Sequence, residues 1–161
     1  MNIRLRPTSI RALIQRSLKM IEGQASEKNI KISTDFSPEI EEAFIDPDRI
    51  NQVLLNLYLN AIEAMEDGGS LSVGLFGDDP RGIKIVISDT GRGIQKKDLD
   101  KIFDPYFTTK PSGTGLGLAI VHRIIEAHKG EVSVESEAGR GTTVSVTLPA
   151  SAEKVHFHDE V

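Results

Sequence analysis

The chain has 161 residues, 39% of them hydrophobic and 27% charged, with a formal charge of −5 and no cysteine. These values describe one globular domain with a single substantial core. They exclude a disulfide framework and a cysteine-based zinc site, and they argue against disorder and against the basic face of a phosphate-backbone binder. Met1 to Arg6 carries basic residues with no apolar stretch behind it, against a signal peptide, and no apolar run approaches the ~20 residues that span a bilayer. The expectation is a cytoplasmic protein or a cytoplasmic piece of a longer one, with no nucleic-acid partner and no direct membrane contact.

In chain order, Thr8 or Ser9 caps a predicted helix to about Lys28, with Ile10, Leu13, Ile14, Leu18 and Ile21 on one stripe. Ile30 to Phe36 alternates apolar and polar residues, the period of a half-buried strand. Asp46-Pro47 starts a second helix, with a capping carboxylate followed by a proline where no N–H is needed; it runs through Met65 to the turn Asp67-Gly68-Gly69. Leu71–Phe76 and Ile83–Ser88 are strands joined as a hairpin. Thr90 to Thr114, rich in glycine and threonine, is long enough to be a functional lid, with a short helix near Lys97 to Phe103. Leu116 to His128 is a third main helix closed by Gly130, and Val132–Ser136 and Thr142–Leu148 form a last strand pair before a frayed tail. The expected fold class is α+β: a two-layer α/β sandwich whose mixed, mostly antiparallel sheet is covered on one face by about three helices.

Three segments carry chemistry. Asn56 and Asn60 sit mid-helix on an otherwise apolar element and share a face with Glu63. A buried amide without a partner costs about 1–3 kcal/mol, so the pair either caps nearby backbone or offers oxygen to a hard ion such as Mg²⁺. Asp89-Thr90-Gly91-Arg92-Gly93 follows an apolar strand. It is either a turn with a side-chain cap or a carboxylate placed to accept from a ring amine, with glycines that let backbone approach a flat base. Gly113-Thr114-Gly115-Leu116-Gly117-Leu118 opens a helix and forms an anion site from free N–H groups, without the lysine of a Walker loop or the βαβ unit of a dinucleotide fold. Lys110 either adds a point charge for phosphates or is a solvated lid lysine.

Taken in this order, the asparagine helix, Asp-x-Gly-x-Gly, the aromatic lid and the glycine-rich helix start resemble the superfamily of histidine kinases, DNA gyrase, the ninety-kilodalton heat-shock chaperone and mismatch-repair ATPases. Phe103-Asp104-Pro105-Tyr106-Phe107-Thr108-Thr109-Lys110 resembles the phenylalanine box of sensor kinases, particularly of the nitrogen-regulation type. Gly115 to Val121 and Gly141-Thr142-Thr143-Val144 are similar to that family as well, and the likeness covers about residues 8 to 149. It implies a catalytic ATP-binding domain at 1–150 with a lid at 90–114 and a flexible tail at 151–161.

The resemblance also implies roles. Asn60 would be the Mg²⁺ ligand and Asn56 its neighbour near the phosphates of ATP, and with Lys110 they would form the catalytic set. Asp89 would bind the adenine amine, helped by Thr143, with Gly91, Gly93 and Ile94 alongside. Thr108, Lys110, Gly113, Thr114, Gly115, Leu116, Gly117 and Leu118 would hold the nucleotide, and Phe103 and Phe107 would anchor the lid. Two positions depart from the pattern: Glu63 and Ala64 stand where many members carry a basic residue and an aromatic. Asn56 occupies the place of the glutamate that activates water in the hydrolysing branches, and a neutral amide is no general base. Transfer to a histidine on a separate dimerisation domain, then to a response regulator receiver domain, is the implied reaction. His122, His128, His156 and His158 lack the context of an acceptor helix and are expected at the surface. The chain is then an excised, monomeric catalytic domain. The alternative is an anti-sigma-factor-type serine kinase of the same fold.

Overall fold

The computed structural model describes residues 1–40, 42–78, 82–105, 107 and 117–149. Their order is β1 (Arg6–Ser9), α1 (Ile10–Glu27), β2 (Ile30–Phe36), β3 (Glu42–Ile45), α2 (Pro47–Ala64), β4 (Gly69–Asp78), β5 (Gly82–Asp89), α3 (Lys96–Leu99), α4 (Gly117–Ala127), β6 (Glu131–Glu137) and β7 (Gly141–Pro149). Five strands form one sheet in the order β2-β4-β5-β7-β6; only the β2–β4 pair is parallel. The expected α+β sandwich is what forms, because every second residue of the central strands is apolar and buried: Leu71, Val73, Leu75, Ile83, Ile85, Ile87, Val146 and Leu148. That face meets α1, α2 and α4, with α2 in contact with both other helices.

The helix starts follow the capping residues. Ser9 accepts from the Ala12 N–H at 3.2 Å, and Asp46 Oδ1 accepts from the Arg49 N–H at 3.2 Å with Pro47 behind it. In α2, Tyr58 is wholly buried, and its hydroxyl lies 2.9 Å from that of Ser17, which donates to the Ile14 carbonyl at 2.9 Å. The only polar atom of that side chain thus has a partner inside the core.

Three expectations are corrected. A two-stranded sheet of β1 and β3 precedes α2, in segments that had carried no strand assignment. The short helix α3 ends at Leu99, and the chain from Asp100 to Pro105 continues in turns and a bend rather than in helix to Phe103. Helix α4 is closed by Lys129 at φ +62°, not by Gly130. The Lys129 N–H donates to the Glu126 carbonyl and the Gly130 N–H to the Ile125 carbonyl, both at 2.9 Å, a left-handed closure in which lysine takes the position glycine usually fills. Gly130 is needed for a different reason: a Cβ there would run into the Thr147 carbonyl of β7.

Candidate functional site

A cleft of about 370 Å³ opens between α2, the end of β5 and the first turn of α4. Helix α2 supplies Asn56, Asn60 and Glu63, β5 supplies Asp89, and the loop after it supplies Arg92, Gly93 and Ile94. Ile102 and Phe107, with Gly117 and Leu118 of α4, line the cleft, as do Thr142 and Val144 of β7. Asn56 and Asn60 are half-buried and one helical turn apart, so both amides face the same space. Of the residues the sequence singles out, the fold therefore brings together Asn56, Asn60, Asp89, Gly93, Ile94, Phe107, Gly117 and Leu118. Gly91 is buried and is not among the residues that line the cleft. Thr108, Lys110, Gly113, Thr114, Gly115 and Leu116 lie outside the described residues, as do residues 106 and 108–114 of the expected lid and the 151–161 tail.

Asp89 caps the turn and also lines the cleft. Its Oδ1 accepts from the Gly91 N–H at 2.8 Å, a side-chain cap on the turn, and the residue still lines the cleft. Burial raises its carboxyl above the ordinary 3.8, opposed by hydrogen bonds from the Gly91 and Thr142 backbone and by the nearby Arg92 charge. The two glycines that follow serve the protein's own packing. A Cβ on Gly91 would lie 2.5 Å from the Ala64 carbonyl oxygen, and one on Gly93, at φ +71°, would overlap the Glu137 carbonyl. The Arg92 N–H donates to the Ala64 carbonyl at 3.0 Å, the Gly139 N–H to the Arg92 carbonyl at 2.6 Å, and the Ile94 N–H to Ser136 Oγ at 2.7 Å. The loop is thus sewn to the end of α2 on one side and to the β6–β7 turn on the other.

Thr143 is not brought to Asp89. In the β5–β7 register it stands opposite Ser88, and the two hydroxyls lie 2.9 Å apart on the sheet face away from the helices. Thr142 is the partner of Asp89 and the threonine that lines the cleft. The alternation that buries Ile87 and Val146 carries this information in the sequence, since a one-residue slip exchanges the faces of a strand.

Residues 45–152 match the family described as histidine kinase-, DNA gyrase B-, and HSP90-like ATPase. The chain belongs to that family. It is 43% identical over 150 residues to the sensor histidine kinase ZraS of Escherichia coli strain K12, which covers 93% of this chain and 32% of that protein. The chain thus spans about a third of the length of this relative. Among solved structures, the catalytic domain of the histidine kinase ThkA, without nucleotide, superposes with a TM-score of 0.85 at 31% identity, over 94% of this chain and 99% of that one. ThkA in complex with the response regulator TrrA gives 0.79 at 28% identity, over 93% and 43% of the two chains. Full-length ShkA in complex with AMPPNP gives 0.85 at 31% identity, over 92% and 32%.

Within this ATPase domain, the helix that carries the two asparagines is tied at both ends. At its C-terminus, Lys28 Nζ donates to the carbonyls of Ile62 at 3.1 Å and Met65 at 3.3 Å, a cation on the negative end of the helix. At its N-terminus, the Asp46 N–H donates to His128 Nε2 at 3.1 Å, while His128 Nδ1 lies 2.8 Å from the Ile124 carbonyl. An imidazole that accepts at Nε2 and donates at Nδ1 is the neutral tautomer. His128 is therefore no surface residue: it is 6% exposed and joins the end of α4 to the start of α2. His122 is half exposed, and its ring centroid lies 5.5 Å from that of Phe103. No described helix is long and apolar enough to cross a membrane.

Proposed function

We propose that the chain binds Mg-ATP in this cleft and donates the γ-phosphate to a histidine on a separate dimerisation domain of its parent kinase, for relay to a response regulator receiver domain. The carrying observation is the convergence of Asn56, Asn60, Asp89 and the first turn of α4 on one cavity of about 370 Å³. The family membership supports ATP as the ligand. In the proposed complex Asp89 accepts from the adenine amine, and Thr142 takes the supporting place first expected of Thr143. The N–H groups at the start of α4 meet the phosphates, joined by Thr108, Lys110 and Gly113 to Leu116. Asn60 supplies an amide oxygen to Mg²⁺, with Asn56 beside it. A donor set of one or two neutral oxygens fits Mg²⁺, which takes its remaining ligands from phosphate and water. The described residues contain no cluster of three or more carboxylate or histidine ligands, in keeping with a metal brought in by the nucleotide.

Asn56 bears on the reaction type. A neutral amide takes no proton from water, so positioning and charge stabilisation are arranged for transfer to an incoming acceptor rather than for hydrolysis. The ThkA complex with TrrA supports a response regulator as the downstream partner. A cytoplasmic, monomeric domain of the nitrogen-regulation type fits the same reading. The serine-kinase alternative is less favoured, because the similar proteins named above are histidine kinases. The test mixes the chain with γ-labelled ATP, with and without a separately made helical hairpin from the parent kinase. Acid-labile label on the hairpin, and none on the chain alone, is expected. Acid-stable label on a partner would favour the serine kinase, and rapid labelling of the chain alone would overturn the proposal.

A further inference from the structure

We propose that Arg92 is a base-stacking residue whose guanidinium lies on the face of the purine whose edge meets Asp89. This rests on the nucleotide reading of the cleft. Arg92 lines the cleft three residues after Asp89 and beside the last turn of α2. Asn56 and Asn60 lie further back along that helix; at 1.5 Å per residue, Glu63 is on the order of 10 Å from Asn56. Arg92 therefore stands at the base end of the cleft and not at the end where the two amides face the phosphates.

The surroundings favour stacking. Ala64 of the last turn of α2 and Gly93 line the cleft beside Arg92, and neither carries a large side chain. Arg92 and Phe107 are the only large planar side chains among the described lining residues, and Arg92 is the only cation there, against the acids Glu63 and Asp89. The backbone of Arg92 is clamped by the Ala64 carbonyl at 3.0 Å and the Gly139 N–H at 2.6 Å, so the side chain starts from a fixed point. Its Nη1 donates to the Glu63 carbonyl at 3.5 Å. That contact uses an N–H in the plane of the guanidinium, and the face remains available to an aromatic ring.

Adenosine and ATP titrations of the wild-type chain and of Arg92→Ala, followed by NMR shifts so that weak binding is measured, test the assignment. Stacking predicts that Arg92→Ala weakens adenosine and ATP by a similar factor, about tenfold. Arg92→Tyr, planar and uncharged, is expected to regain most of the adenosine affinity. Unchanged adenosine binding in Arg92→Ala with a loss confined to ATP would overturn the proposal in favour of a phosphate contact. Failure of the wild-type chain to bind ATP at all would instead overturn the nucleotide reading beneath it.

Discussion

Replacing Gly93 by alanine tests whether the loop after Asp89 is held by the protein's own backbone. Gly93 sits at φ +71°, and an added Cβ would fall far inside contact distance of the Glu137 carbonyl. The left-handed conformation costs an L-residue about 1–2 kcal/mol. The carbonyl has little freedom to withdraw, because Glu137 accepts from the Arg140 N–H at 3.0 Å and the next residue but one, Gly139, donates to Arg92 at 2.6 Å. Overpacking of that kind adds about 1–3 kcal/mol, so a total near 2–5 kcal/mol is expected. Gly139 is the internal control: its φ is +84° but no described residue lies within 4 Å of a built Cβ, so alanine there should cost only the conformational part. Urea unfolding of both variants at equal m-value measures the difference directly. A Gly93→Ala protein no less stable than Gly139→Ala would refute the backbone-packing account of the motif.

Burial that raises the Asp89 carboxyl has consequences of opposite sign for binding and for stability. As pH falls through a midpoint above 3.8, the carboxylate acceptor is lost and ATP affinity should drop, while the folded state is relieved of a penalised charge. Asp89→Asn should weaken ATP by roughly 1.5–3 kcal/mol at neutral pH and flatten that acid limb relative to wild type; an identical acid limb in the variant would contradict the assignment. Gly117 lies in the first turn of α4, and no described residue comes within 4 Å of a built Cβ. Gly117→Ala should thus keep or raise stability, by up to about 1 kcal/mol of helix propensity, yet lower ATP affinity. Calorimetric affinity equal to wild type would show that no ligand group approaches that backbone.

The parts of the fold legible in the sequence are those whose signal is local. Asp46-Pro47 marks the start of α2, the alternation of Ile83, Ile85 and Ile87 marks a one-sided strand, and the caps need only neighbouring residues to read. The β1–β3 pair was invisible because four residues are too few to establish a period, and their pairing spans the whole of α1 and β2. Thr142 and Thr143 differ only in which face of β7 they occupy, and that follows from register rather than from residue type. His128 looked like a surface residue because its partner, the Asp46 N–H, is 82 positions away. The glycines after Asp89 approach the backbone of Ala64 and Glu137, contacts between distant segments that the local motif does not reveal.

The most direct measurement is a calorimetric titration of ATP into the wild-type chain and into Asn60→Ala, each with and without Mg²⁺. Asn60 is half-buried on α2 and lines the cleft, so the substitution should leave the fold intact, as a thermal melt would verify. The account predicts Mg²⁺-strengthened ATP binding in the wild type and loss of that strengthening in the variant. Equal Mg-ATP affinity in the two proteins, or none in the wild type, would contradict it.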